Sequence, residues 1–199
     1  MPSRRPGRRQ IPNGWDETLP GGPNLRHIDA CDDCGFRYAT LDREEVPGRL
    51  RALGPAWAAR LDVPGEGRLA SLRSHTRPGV WSGLEYACHV RDVLEAQHQR
   101  LALALFEDRP ELVSMGSAER VGRDRYNEQA PAEVAAALAR RADELAAAFA
   151  ALTPDQWGRT GFYSWPVRAE RDMAWLARHT VHEGEHHLRD LDDALAAAR

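Results

Sequence analysis

Four of the chain's eight histidines are packed together in the run His179-Thr-Val-His182-Glu183-Gly-Glu185-His186-His187-Leu-Arg-Asp190. Two pairs in this run are spaced four apart, His182 with His186 and Glu183 with His187. On a helix that spacing sets two side chains one turn apart on one face, the geometry for two ligands of one metal ion. His182-Glu183-Gly184-Glu185-His186 also fits the His-Glu-x-x-His pattern of helical zinc sites, although so histidine-rich a segment offers many chance matches. Helical phase separates the pairs. Ala177, Val181, Gly184, Leu188, Leu191 and Leu195 share one small or apolar arc, which marks the face turned to a core. At about 100° per residue, His187 lies roughly 80° from the centre of that arc, Glu183 roughly 120°, His182 roughly 140° and His186 almost opposite. Glu183 and His187 are therefore better placed to look inward, with His182 and His186 as the alternative pair. His179, His182 and His186 are expected to be mostly solvated.

A pair on one helix needs a third ligand from another. His89 is the candidate, beside Leu84, Ala87, Cys88 and Val93; His98 lies about 13 Å further along the same axis. Arg91 and Asp92 are weaker candidates for orienting His89 or anchoring a substrate, against the plainer reading of surface helix charges. Three ligands leave a coordination position open, as catalytic sites do, and zinc so held lowers the pKa of a bound water or thiol. A separate signal is Cys31-Asp-Asp-Cys34-Gly35, with His27 four residues upstream. It reads as a turn with unliganded cysteines, as a structural metal site of His27, Cys31 and Cys34 completed by His75 or a carboxylate, or as a redox pair. Cys88 reads as a small core hydrophobe.

Four helices would carry these residues. The first spans about Glu44 to Leu61, with Val46, Leu50, Leu53, Trp57 and Leu61 at helical spacing and Pro47 in the first turn. Pro64, Gly65 and Gly67 break it. The second runs from about Trp81 to Phe106, opened by Ser82 with Glu85 three residues later, a capping box. The third covers about Pro131 to Leu152, with Val134, Leu138, Leu145 and Phe149 as its buried stripe. The fourth starts shortly after Trp165-Pro166 and ends near Ala197. No strand-like alternation competes, and Asp108 to Ala130 is a long connection with room for a short helix. The expectation is an all-α four-helix bundle with one long crossover. It occupies about 44–199, behind an Arg/Pro/Gly-rich tail at 1–26 and an irregular lead-in at 27–43.

Trp81-Ser82-Gly-Leu-Glu85-Tyr-Ala-Cys-His89-Val-Arg-Asp92 and Glu183-x-x-x-His187-Leu-Arg-Asp190-Leu191 resemble the DinB-like (DNA-damage-inducible) superfamily of bundle metalloproteins, over about Val46 to Leu191. The resemblance implies an up-down-down-up bundle holding one divalent metal, usually zinc or nickel with iron also conceivable. His89 would supply the ligand from the second helix. The last helix would supply either two histidines or a Glu and a His four residues apart. The mycothiol-dependent maleylpyruvate isomerase branch uses the Glu/His version, which would select Glu183 and His187. The His/His version would select His182 and His186. This branch implies a low-molecular-weight thiol such as mycothiol as co-substrate, held as thiolate to attack an electrophile in S-transfer or isomerisation.

Composition limits the other classes. A net charge of −3 argues against a protein whose main work is binding nucleic acid, although Arg4, Arg5, Arg8 and Arg9 could touch it. All 27 basic residues are arginine, which fits a GC-rich coding sequence. No apolar run approaches the roughly 20 residues that span a bilayer. Three cysteines and an opening Met-Pro-Ser-Arg-Arg unlike a secretory leader point to a reducing, cytoplasmic setting. Two function classes remain: a thiol-using metalloenzyme acting on small molecules, or a non-catalytic metal-binding stress-response bundle serving as an interaction module. A homodimer is compatible with either.

Overall fold

The computed structural model describes residues 30–164 and 168–198. The Arg-rich tail and His27, the ligand expected beside Cys31 and Cys34, lie outside the described residues.

Four long helices form the bundle: α1 (Val46–Leu61), α3 (Gly83–Phe106), α5 (Pro131–Ala150) and α7 (Met173–Ala197). Between them stand the short α2 (Glu66–Arg73), α4 (Ser117–Arg123) and α6 (Pro154–Trp157). α1 packs on α5 and α7, and α3 packs on the same two helices. Arg49 pairs with Glu185, and Arg60, further along α1, pairs with Asp192, further along α7, so these helices run parallel. α3 runs against α7, since its start at Gly83 meets Leu191 while His89 meets Glu183.

The helix starts follow local chemistry. The Ser82 hydroxyl accepts the Glu85 N–H, and the Glu85 carboxylate accepts the Ser82 N–H at 2.8 Å, the expected capping box. Asp172 caps α7 by accepting the Trp175 N–H at 2.7 Å. α5 opens on Pro131 and buries Val134, Leu138, Ala142, Leu145, Ala146 and Phe149 along one stripe. The close approach of α1 to α7 requires Gly184. A Cβ there would lie 2.4 Å from a Leu53 methyl, and the Trp57 indole N–H donates to the Gly184 carbonyl at 3.2 Å.

Three features depart from the sequence-based expectation. A three-stranded sheet is present: β1 (Glu111–Leu112) pairs parallel with β2 (Thr160–Tyr163), and β2 pairs antiparallel with β3 (Ala169–Asp172). Its strands have two to four residues, too few for alternation to register. α7 consequently starts at Met173 and not just after Trp165-Pro166. α2 lies in the stretch beyond Pro64 where no element was expected, and it buries only Leu72. Thr153-Pro154, which ends α5, also caps α6 through a second capping box. The connection from 107 to 130 contains α4, as the long crossover allowed.

Candidate metal centre

His89 on α3 and Glu183 and His187 on α7 meet inside the bundle. The His89 Nε2 and His187 Nε2 each lie 3.6 Å from the same carboxylate oxygen, Glu183 Oε2. That separation is too long for a hydrogen bond. It is close to the edge of about 3.4 Å between nitrogen and oxygen ligands on a tetrahedral ion with bonds near 2.1 Å. All three side chains are buried, and the arrangement fits a small divalent cation. The His187 Nδ1 is 2.7 Å from Asp190 Oδ2, which turns Nε2 toward the centre. Trp81 and Tyr86 pack on the two rings, with centroids 5.0 Å from His89 and 5.4 Å from His187. The His89 Nδ1 is buried without a hydrogen-bond partner among the described residues.

Burial alone would push the Glu183 carboxyl up. His187 and His89 more than offset it and hold the group well below its ordinary range. Burial likewise opposes charge on His187, but the carboxylates of Asp190 and Glu183 outweigh it and raise the imidazole to about 9. For His89 burial wins, and its pKa falls. The centre thus sets the Glu183 carboxylate between a neutral His89 and a His187 that holds its proton at neutral pH in the absence of a metal.

His179, His182 and His186 are not solvated: all three are buried, His182 completely. The helical arc located the bundle core correctly but took α7 to have one covered face. The segment Ala30–Leu41 lies across its other side. The Tyr38 hydroxyl sits 2.8 Å from His179 Nδ1 and 3.1 Å from His182 Nδ1. The Phe36 ring is 5.2 Å from that of His182, and Cys31 Sγ lies 3.6 Å from His186 Nδ1. Tyr163 on β2 packs edge-on against His179 at 5.4 Å. Burial lowers His179 and His182 to about 4, so both are neutral imidazoles at physiological pH. Tyr38 carries no signal of its own in the sequence, where only the spacing of Phe36 and Tyr38 two apart hints at one apolar face.

The other candidates fall elsewhere. Asp92 is buried and accepts from Arg91, Arg141 and Arg120 and from the Tyr126 hydroxyl at 2.6 Å. It ties α3 to α4 and α5, and no bond joins it to His89. His75 pairs with Glu85 at 2.8 Å and is not among the ligand-forming atoms around Cys31 and Cys34. Cys88 is fully buried and burial pushes its thiol up to about 12, as befits a core residue.

The family model of the DinB superfamily matches residues 69–191. The chain belongs to the DinB superfamily. Among solved structures it is similar to YfiT from Bacillus subtilis, described as a probable metal-dependent hydrolase with an unusual four-helix bundle topology. That match has a TM-score of 0.61 and 18% identity, and covers 76% of this chain and 81% of YfiT. It shows the shared bundle fold. No curated protein matches the chain.

Proposed function

We propose that this DinB protein is a divalent-metal-dependent enzyme that uses a low-molecular-weight thiol, of the mycothiol kind, to attack an electrophilic small molecule. The observation that carries the reading is the convergence of His89 Nε2 and His187 Nε2 on one Glu183 oxygen at 3.6 Å. The spacing is wrong for hydrogen bonds and right for three ligands of one ion. Zinc is the favoured ion for two imidazoles and a carboxylate, with nickel or iron as alternatives. Bound there, it would leave a position open and supply Lewis acidity that lowers the pKa of a thiol or water.

The chain's own residues then have distinct tasks. Glu183 contributes the negative charge and His89 a neutral nitrogen from the opposite helix. Asp190 fixes the tautomer and orientation of His187. Trp81 and Tyr86 wall the histidines with apolar surface and hold their rings in place. The thiol rests on the resemblance of Glu183-x-x-x-His187-Leu-Arg-Asp190-Leu191 to the mycothiol-dependent branch. YfiT's description as a probable metal-dependent hydrolase supports the metal and makes hydrolysis the competing reaction.

The test compares the metal-loaded protein, its chelated form and His89→Ala. Mycothiol consumption is followed with chlorodinitrobenzene and a panel of other electrophiles, beside ester and amide hydrolysis. The reading expects metal-dependent thiol conjugation that is lost in His89→Ala. Metal-dependent hydrolysis without thiol consumption would replace thiol transfer by hydrolysis. No metal-dependent turnover of either kind would favour a non-catalytic interaction module.

A further inference from the structure

The second pair on α7 has its own partners. Cys31, Cys34, His182 and His186 bring one ligand atom each to within 4.8 Å of one another. Cys31 Sγ and His186 Nδ1 are 3.6 Å apart, close to the edge of about 3.5 Å between a sulfur and a nitrogen ligand on tetrahedral zinc. Both cysteines are free. The turn that brings them together is built by backbone: the Cys31 N–H donates to the Phe36 carbonyl and the Gly35 N–H to the Cys31 carbonyl, both at 2.8 Å. Gly35 has φ 74°, a left-handed conformation that favours glycine.

His182 is prepared from behind. Nδ1 of His182 is engaged by Tyr38, while its Nε2 is buried with no hydrogen-bond partner among the described residues. An orphaned nitrogen in a fully buried ring is costly unless something binds it. A proton on His182 Nδ1 donated to the Tyr38 oxygen, with the Tyr38 hydroxyl donating onward to His179 Nδ1, leaves the Nε2 lone pair free for a metal. For His186, Nδ1 faces Cys31 at 3.6 Å, while Nε2 on the far side of the ring lies 3.5 Å from Asp190 Oδ2, beyond hydrogen-bond length.

We propose that Cys31, Cys34, His182 and His186 form a second metal site, a closed Cys2His2 zinc site that clamps the segment before α1 onto the back of α7. Two thiolates and two imidazoles complete a tetrahedron with no open position, so the site is structural and not catalytic. Binding breaks the two S–H bonds, forms two zinc–sulfur and two zinc–nitrogen bonds, and releases two protons to solvent, with no change of oxidation state. The clamp holds Tyr38 against His179 and His182, beside Glu183. It does not depend on the function proposed for His89, Glu183 and His187.

Metal content and cobalt spectra of the full-length chain, purified without chelator, test the proposal. Wild type is expected to hold two zinc ions. His89→Ala and Cys31→Ser/Cys34→Ser should each hold one, and their combination none. Cobalt-substituted wild type and His89→Ala should show thiolate-to-cobalt charge transfer in the near ultraviolet, absent from the cysteine double variant. Chelation of wild type should make Cys31 and Cys34 react at least tenfold faster with a thiol reagent. If the cysteine variant does not fold, the wild-type spectrum and thiol reactivity still decide. No charge-transfer band, thiol reactivity indifferent to chelator, or a Cys31–Cys34 disulfide in reduced-handled protein would overturn the proposal. Loss of metal only from His89→Ala would overturn it while leaving the proposed function standing.

Discussion

Asp190 places one carboxylate oxygen against two histidines of opposite orientation, His187 at 2.7 Å and His186 at 3.5 Å. Removing an acceptor that orients a metal-bound histidine typically costs 10–100-fold in affinity. Asp190→Ala is expected to weaken metal binding at the His89 centre by about that factor, measured by competition with a chromophoric chelator. Asp92 is the other carboxylate whose surroundings decide its role. Burial raises its pKa, but Arg91, Tyr126 and Arg141 more than offset this and leave it below the ordinary value. A depressed folded-state pKa contributes stability that is complete above the unfolded carboxylate range and is lost as pH falls through the folded value. Asp92→Asn should therefore cost about 3 kcal/mol at neutral pH by leaving three arginines without their shared anion. It should also flatten the acid limb of the stability profile in urea titrations run from neutral pH down into the acid range.

At the level of elements, α7 is set by contacts on both sides. Gly184 admits Leu53 and Trp57 of α1 on the side toward the core. The neighbouring Glu183 is thereby placed toward α3, while His182 and His186 pass to the segment Ala30–Leu41. Gly184→Ala forces a methyl into Leu53, itself only 2% exposed. The expected cost is about 1–3 kcal/mol of stability by denaturant unfolding, since a packed core relaxes poorly around an inserted atom. Metal affinity should fall with it, because the shift acts on the residue next to a ligand. The capping box that opens α3 lies two turns before His89. Ser82→Ala removes its acceptor and should cost about 1 kcal/mol in the same assay, without abolishing metal binding.

For the whole molecule, metal is expected to contribute to folding as well as to chemistry. The ligands of the proposed zinc site come from opposite ends of the chain, as Cys31 and His186 are 155 residues apart. The proposed ligands His89 and Glu183 stand on two different bundle helices. An ion bound only by the folded state stabilises it by about 2.7 kcal/mol at a free concentration 100 times Kd. Chelation should therefore lower the urea midpoint measurably. The same chelation of Cys31→Ser/Cys34→Ser should produce a smaller drop, reporting the His89 centre alone. No helix among the described residues is long and apolar enough to cross a membrane.

The four long helices, most of their limits and the capping box of α3 were legible in the order of residues alone, whereas the short α2 and α6 were not; His89, Glu183 and His187 could be singled out there only as candidate ligands. Each legible feature depends on interactions within a few turns of one helix or on a single periodic stripe that packing must bury. Phase on α7 correctly separated the two metal-type pairs but assigned one of them to solvent. A helical wheel reports which way a side chain points, not what waits there. Only the tertiary structure shows that Ala30–Leu41 returns over α7, because its contacts with His179, His182 and His186 span more than a hundred residues and carry no local signature, and that the short sheet sets Tyr163 against His179. That return buries His182 and His186 and gives Cys31 and Cys34 their partners on α7.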